Sequence, residues 1–286
     1  MTFTDSPDTH VIRTAPVNFR DLGGLPVDGG LVRPGVAFRS DDVSIAPEDW
    51  AGDAVGTRGL RHVIDLRSPQ EATFLGRGPL AGHGALGYHH LPLTDALPND
   101  ADADLMKLMR HATTDDVGLL YLGMLEKGAA QLATALSLIA SGMGAVVFHC
   151  AAGKDRTGIL AAALLTALGA DDDTIVADYA VTGENLSAIL RRVGGAHAPL
   201  FRGAGGAVWQ PPAPDDGNGG QPGPHAAPRS AMFAAEPASM ASLLTVARDR
   251  HGSLLRPLQD AGLHADTLSR LRQRLIQPVS GQVTAR

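Results

Sequence analysis

Short apolar runs of strand length alternate along this chain with longer stretches whose apolar positions recur every three or four residues. Leu60 to Leu66 (Leu-Arg-His-Val-Ile-Asp-Leu), Leu86 to Leu93, Val36 to Arg39 and the run from Val146 read as strands. Val11 to Phe19 is also expected to be a strand, turned by Asp21-Leu22-Gly23-Gly24. Asp28-Gly29-Gly30 before Leu31-Val32 is a hairpin signal. Leu119, Leu122, Leu125, Leu132, Leu136 and Ile139 keep helical spacing, which predicts one helix from Thr114 to about Ala140 with these residues in the core. Ile159 to Leu168 is apolar nearly all round and predicts a buried helix stopped by Gly169. Asp171-Asp172-Asp173 opens another helix through Val181, with a break expected at Gly183-Glu184 before Asn185 to Arg192. Three more helices follow, Ser239 to His251, Ser253 to Ala261 and Asp266 to Ile276, the last with Arg270, Arg272 and Arg274 on a solvated face.

This alternation predicts one α/β domain over residues 11–280. A short, largely parallel central sheet is flanked by helices on both faces, with a helical C-terminal segment packed against it. Residues 1–10 read as a flexible tail. Residues 203–228 contain seven Gly and six Pro, too little apolar surface to offset ordering, and read as a flexible insertion. After the strand ending near Leu66 comes Ser68-Pro69-Gln70-Glu71, with Ser68 as N-cap, Pro69 at the first helical position and Glu71 completing a capping box. Glu71 is read as a cap alone. Asp65 and Arg67 fall at the carboxyl end of that strand, the edge where open α/β sheets bind ligands.

The chain has 286 residues, is 44% hydrophobic and carries a net charge of -6. With no long basic run, nucleic acid is not an expected partner. The single cysteine excludes internal disulfides and suits a reducing compartment. Met1 to His10 is polar and acidic without a signal-peptide core, so a cytoplasmic location is expected, with export by another route left open. No apolar run approaches the roughly 18 residues of a membrane span, so no stable membrane insertion is expected. His89 and His90 point to opposite faces of their strand, and no His/Cys cluster has ligand spacing, so neither metal nor cofactor is expected. Oligomeric state is not legible.

The remaining stretch, Val146-Val147-Phe148-His149-Cys150-Ala151-Ala152-Gly153-Lys154-Asp155-Arg156-Thr157-Gly158, reads as an apolar strand, a six-residue turn and a helix opening at Thr157. Small residues and Gly153 let the amides of Ala151, Ala152, Gly153 and Lys154 converge into a nest, and the helix N-terminus adds its dipole. A phosphate dianion fits there, with Arg156 forking two N–H bonds to it. Nest, dipole and Arg156 all favour the Cys150 thiolate, a nucleophile for covalent phosphoryl transfer. Thr157 can donate to the sulfur and help it leave. His149 either orients the loop and tunes the thiol or simply packs. A lone Cys after an apolar strand is ordinarily core, but its company here reverses that reading. A kinase-type phosphate loop is excluded, because Gly153-Lys154 would need Gly at Phe148 and Ser or Thr at Asp155.

His149-Cys150, five residues, then Arg156-Thr157-Gly158 resembles the protein tyrosine phosphatase signature. The Gly-Lys-Asp-Arg-Thr-Gly version is similar to the atypical bacterial cysteine-dependent tyrosine/lipid phosphatases, the family of the secreted mycobacterial tyrosine phosphatase B. Asn18-Phe19-Arg20-Asp21-Leu22-Gly23-Gly24, Arg39-Ser40-Asp41 and Asp65-Leu66-Arg67-Ser68-Pro69-Gln70-Glu71 resemble that family's N-terminal motifs, in order. The resemblance spans residues 11–190 and, more weakly, 237–275. It implies a tyrosine phosphatase-like fold and hydrolysis of phosphate monoesters through a phosphocysteine. The substrate would be a phosphorylated protein, a phospholipid or a small phosphate ester. It also implies that Arg20 and Arg39 support the loop or frame its pocket, and that a lid or insertion, often helical, lies over the pocket near 203–228, where the Gly/Pro-rich stretch departs from a helical pattern. Lys154 adds a cation carried by phosphoinositide-active relatives. For the general acid, Asp155 stands ahead of Asp65, with Asp95 third. Two other classes stay open: a sulfurtransferase with a Cys loop, and a non-catalytic phosphate-binding module.

Overall fold

The computed structural model describes residues 12–94, 111–197, 200 and 230–279. The tail at 1–10, Asp95 and the 203–228 stretch lie outside them. The central sheet has five strands in the order β1 (Arg20–Asp21), β4 (Ala37–Ser40), β7 (Ala145–His149), β5 (Leu60–Asp65), β6 (Gly87–His90). The β4, β7, β5 and β6 strands run parallel, and β1 pairs antiparallel to β4 at the edge. This is the largely parallel sheet that the sequence implies. A second sheet of β2 (Pro26–Val27), β3 (Gly30–Val32) and β8 (Ile276–Gln277) joins the expected Asp28–Gly29 hairpin to the end of the last helix.

Strand side chains alternate between two faces. Val146 and Phe148 join Ile64 in the larger core, while Ala145 and Val147 join Leu60 and Val63 in the smaller. The smaller core is closed by α1 (Glu48–Gly56) and the 3-10 turn Gly78–Gly82 through Ala51, Ala54 and Leu80. The larger is closed by α3 (Thr114–Lys127), α4 (Ala129–Ser141), α5 (Asp155–Leu168), α7 (Pro237–His251), α8 (Arg256–Asp260) and α9 (Ala265–Leu275). Helices therefore cover both faces, as expected of parallel strands. The predicted capping box opens α2 (Pro69–Leu75): Ser68 accepts from the Glu71 amide at 3.3 Å, and Glu71 from the Ser68 amide at 2.7 Å.

Several expectations are corrected. Residues 12–19 form no strand, and Asn18 turns its side chain to the loop after β7 instead. The single helix expected over 114–140 is two, parted at Gly128, where a Cβ would lie 2.7 Å from Leu93 Cδ2. Leu119 is exposed, while Leu122, Leu125, Leu132, Leu136 and Ile139 are buried. No break occurs at Gly183-Glu184, and α6 (Asp172–His197) runs through. Two of the three arginines assigned to a solvated face bond carbonyls: Arg272 donates to Ala167 O at 3.0 Å, and Arg274 to Ile139 O and Gly144 O.

The topology decides where chemistry can sit. β7 lies between β4 and β5, with Ser40 and Asp65 both level with His149. Three strand ends thus deliver Ser40-Asp41-Asp42, Asp65-Leu66-Arg67 and Cys150 to one edge, the ligand-binding edge of an open α/β sheet.

Candidate active site

Cys150 follows β7 directly and is buried. The loop after it enters α5 at Asp155, two residues before the predicted start, so Asp155 and Arg156 belong to the first helical turn. Gly153 has φ +67°, and a Cβ there would lie 2.5 Å from Ser40 O, so the loop's close approach to β4 requires glycine.

The loop's carbonyls are pinned from outside. Ala151 O accepts from the Asp42 amide at 2.9 Å. Asn18 Nδ2 donates to Ala152 O at 3.3 Å and Gly153 O at 3.1 Å, and Arg39 Nη2 donates to Gly153 O at 2.9 Å. Among the described residues, none accepts from the amides of Ala151, Ala152, Gly153 or Lys154. With carbonyls held back and amides unspent, the loop is built for an anion.

The braces are themselves braced. Arg39 is fully buried and paired with Asp178. Arg20 donates to Asp178 Oδ1 at 3.1 Å, Thr182 Oγ1 at 3.2 Å and Asn18 Oδ1 at 2.5 Å. Arg39 thus bonds the loop directly, and Arg20 bonds Asp178 and Asn18, which in turn bond Arg39 and the loop. Burial alone would raise the Asp178 pKa; the two arginines outweigh it and hold the carboxyl below its ordinary value.

Arg156 is fixed by Glu71, 85 residues away: Nη1 donates to Oε2 at 2.5 Å and Nη2 to Oε1 at 3.1 Å. Glu71 is thus a cap and also the carboxylate that orients Arg156, which corrects its reading as a cap alone. Burial would lower the Arg156 pKa, but Glu71 and the Cys150 sulfur raise it above its ordinary value. Guanidinium has five N–H donors, so three remain for a ligand. Burial would likewise raise Glu71, yet Arg156, the Ser68 amide and His197 bring it to about 2.

Thr157 Oγ1 donates to Cys150 Sγ at 3.2 Å, as the sequence suggests. His149 is buried, which lowers its pKa and keeps the ring neutral near pH 7. Its Nδ1 lies 3.2 Å from Cys150 O. A carbonyl can only accept, so the proton is assigned to Nδ1.

Two expected roles change. Asp65 is fully buried and chelated by Arg67, with Nε at 3.0 Å from both of its oxygens and Nη2 at 2.6 Å from Oδ2; Tyr88 OH donates to it at 2.5 Å. Burial would raise its pKa, but His149 and Arg67 push it well below the carboxylate range. It is a locked anion with no proton to give, so its candidacy as acid gives way to holding the strand end. Lys154 does not face the nest. Its Nζ donates to Met232 O at 2.5 Å and Ala234 O at 3.1 Å, which spends two of its three donors, and forms an ion pair with Asp155 Oδ1 at 3.2 Å. Asp155 keeps a partly open side chain and accepts from the buried Tyr121 hydroxyl.

The sequence reading assigned no role to Asp42, His197 or Asp178. Asp42 Oδ2 accepts from Arg67 Nη1 at 3.1 Å and bonds His197 Nε2 at 2.9 Å, which joins β4, β5 and α6 below the loop. No local pattern marks these residues. Among the described residues, no three His, Cys, Asp or Glu form a metal-binding group, and no helix is long and apolar enough to cross a membrane.

A parallel sheet presenting a cysteine, an amide nest and a clamped arginine at one edge is an arrangement that can hold a phosphate beside a thiol. A model of the Tyrosine phosphatase family matches residues 13–277, and the chain belongs to that family and is a phosphatase. The triple specificity protein phosphatase PtpB of Mycobacterium tuberculosis is 32% identical over 201 residues, 62% of this chain and 70% of that one. A tyrosine-protein phosphatase of Nostoc commune is 34% identical over 137 residues, 47% of this chain and 44% of that one. The crystal structure of P. aeruginosa TpbA is 16% identical with a TM-score of 0.28, covering 61% of this chain and 97% of that one.

Proposed function

We propose that the chain hydrolyses phosphate monoesters, phosphotyrosine among them, through a phosphocysteine at Cys150. The observation that carries this reading is the set of unspent amides from Ala151 to Lys154 around Cys150, in a loop whose carbonyls are tied away. Phosphate oxygens take the amides and the free donors of Arg156, which keep their charge matched as it shifts in the transition state. Cys150 Sγ attacks phosphorus; the P–S bond forms as the P–O ester bond breaks. Asp155 gives its proton to the leaving oxygen. Water then attacks phosphorus, Asp155 takes the water's proton, and the P–S bond breaks. Thr157 Oγ1 holds the departing thiolate with the hydrogen bond it already makes.

Asp155 is the acid because its side chain stays partly open, whereas Asp65 is enclosed and ionised. The name of the triple specificity relative supports a broad range of phosphate esters. Phosphoinositides stand behind phosphotyrosine, because the lysine that suggested them is turned to the Met232 and Ala234 carbonyls. The lone, buried cysteine suits a reducing compartment, and the cytoplasm is the proposed site of action.

A leaving-group comparison tests the assignment. Asp155→Asn should cut turnover of an alkyl phosphate about 10²–10⁴-fold, spare an activated aryl phosphate by comparison, and remove the basic limb of the pH–rate profile. Equal losses on both esters with the limb intact would make Asp155 a structural residue of the loop.

A further inference from the structure

Asp155 is gripped from the core side. Tyr121, on α3, donates its hydroxyl to Asp155 Oδ1. Tyr179, on α6, places its own hydroxyl 2.8 Å from that of Tyr121, with the rings edge to face at 6.2 Å. Both side chains are buried. Space for the second ring comes from Gly158 near the start of α5, where a Cβ would lie 3.1 Å from Tyr179 Cδ2. Two helices far apart in sequence thus converge two phenols on one carboxylate, although a buried hydroxyl is costly unless partnered.

The proton order follows from the partners. Each phenol has one proton. That of Tyr121 goes to Asp155, so Tyr179 donates to Tyr121, and the chain reads Tyr179 O–H to Tyr121 O–H to Asp155 Oδ1. Lys154 Nζ stands on the same oxygen, at 3.2 Å. Oδ1 thus takes the Tyr121 proton with the Lys154 ammonium beside it, while among the described residues no hydrogen bond reaches Oδ2.

We infer that Tyr121, backed by Tyr179, is a positioning residue for the general acid: it occupies Oδ1, so the transferable proton rides on Oδ2, and it fixes the rotamer that presents Oδ2 to the leaving oxygen. This inference rests on Asp155 being the acid. Tyr121 remains the donor throughout, since burial first and Asp155 second raise its hydroxyl pKa well above the ordinary value. The charged and titratable groups facing this carboxylate are Lys154, its neighbour Arg156 and the two neutral phenols; Arg39 and Glu236 face Tyr179. A donor on Oδ1 favours the carboxylate form, so removing it favours the acid form.

The experiment is the pH–rate profile of Tyr121→Phe, Tyr179→Phe and Asp155→Asn on an alkyl and an activated aryl phosphate. Tyr121→Phe should move the basic limb upward by about one pH unit and cut alkyl turnover about 10-fold, with aryl turnover held within about 2-fold. Tyr179→Phe keeps the direct donor and should move the limb the same way by less; it carries the test if Tyr121→Phe does not fold. A limb lost in Asp155→Asn yet unmoved in both tyrosine variants would overturn the positioning role alone. A limb that survives in Asp155→Asn would overturn the acid assignment and this inference with it.

Discussion

Ion pairs of nearly equal length occupy two unlike regions of this molecule. At the carboxyl end of the sheet, Arg67–Asp65 (2.6 Å) has both side chains 0% exposed, and Arg156–Glu71 (2.5 Å) is 13% and 1% exposed. On the outer helical face, Arg248–Asp172 (2.6 Å) is 55% and 51% exposed, and Arg256–Asp260 (3.0 Å) 60% and 59%. Distance does not distinguish the two sets; access to water does. The outer pairs exchange freely with solvent and are screened by salt. The inner pairs have lost their hydration, so each charge needs every partner in place, and removing one leaves an uncompensated charge. That demand keeps the loop's shape, because Arg39 and Asn18 also donate to loop carbonyls. Burying charge thus serves geometry here more than net stability.

The largest break in this contrast should come from Asp178→Asn, which leaves Arg39 buried without its carboxylate. Urea unfolding should show a loss of about 3–5 kcal/mol. A loss below about 1 kcal/mol would mean that the brace is not electrostatic.

Glu71→Gln should come next. It loosens the fork on Arg156 and should lower kcat about 10–100-fold, in line with the worth of a charged hydrogen bond. It also carries a pH signature. The Glu71 carboxyl sits at about 2 against an ordinary 4.5. A depressed carboxylate contributes stability in full above its unfolded value and loses it as pH falls through the folded one. The gap in stability between wild type and Glu71→Gln should therefore be constant above about pH 4.5 and close toward pH 2. A gap unchanged across that window would contradict the pairing.

Smallest of all, Arg248→Ala on the outer face should leave Tm within the scatter of replicates at low and high salt alike. A marked drop would erase the contrast between the regions.

Much of this site was legible because its chemistry is local. The strand before Cys150, the nest residues, Arg156, the Thr157 hydroxyl and the Ser68–Glu71 capping box all depend on neighbours within a few residues. What sequence reasoning could not supply were partners that only the fold brings together: Glu71 with Arg156 across 85 positions, Arg20 and Arg39 with Asp178, Lys154 with the Met232 and Ala234 carbonyls. The last of these matters most for function, since a lysine beside a phosphate loop looks like a ligand until its donors are counted. Asp65 misleads for the same reason: its place at a strand end suggests chemistry, and only Arg67 folding back on it shows an anion already fully used. Helix breaks fared similarly. Gly128 parts two helices and leaves no room for a Cβ beside Leu93, while Gly183 lies within an unbroken helix.

The central claim is that Cys150 takes the phosphoryl group. Rapid-quench turnover of an aryl phosphate, followed by mass spectrometry of the intact protein and its peptides, tests it directly. The account predicts a transient single phosphate on the peptide containing Cys150, and neither adduct nor turnover in Cys150→Ser. A phosphate on another residue, or a Cys150→Ser protein that still turns over, would contradict it.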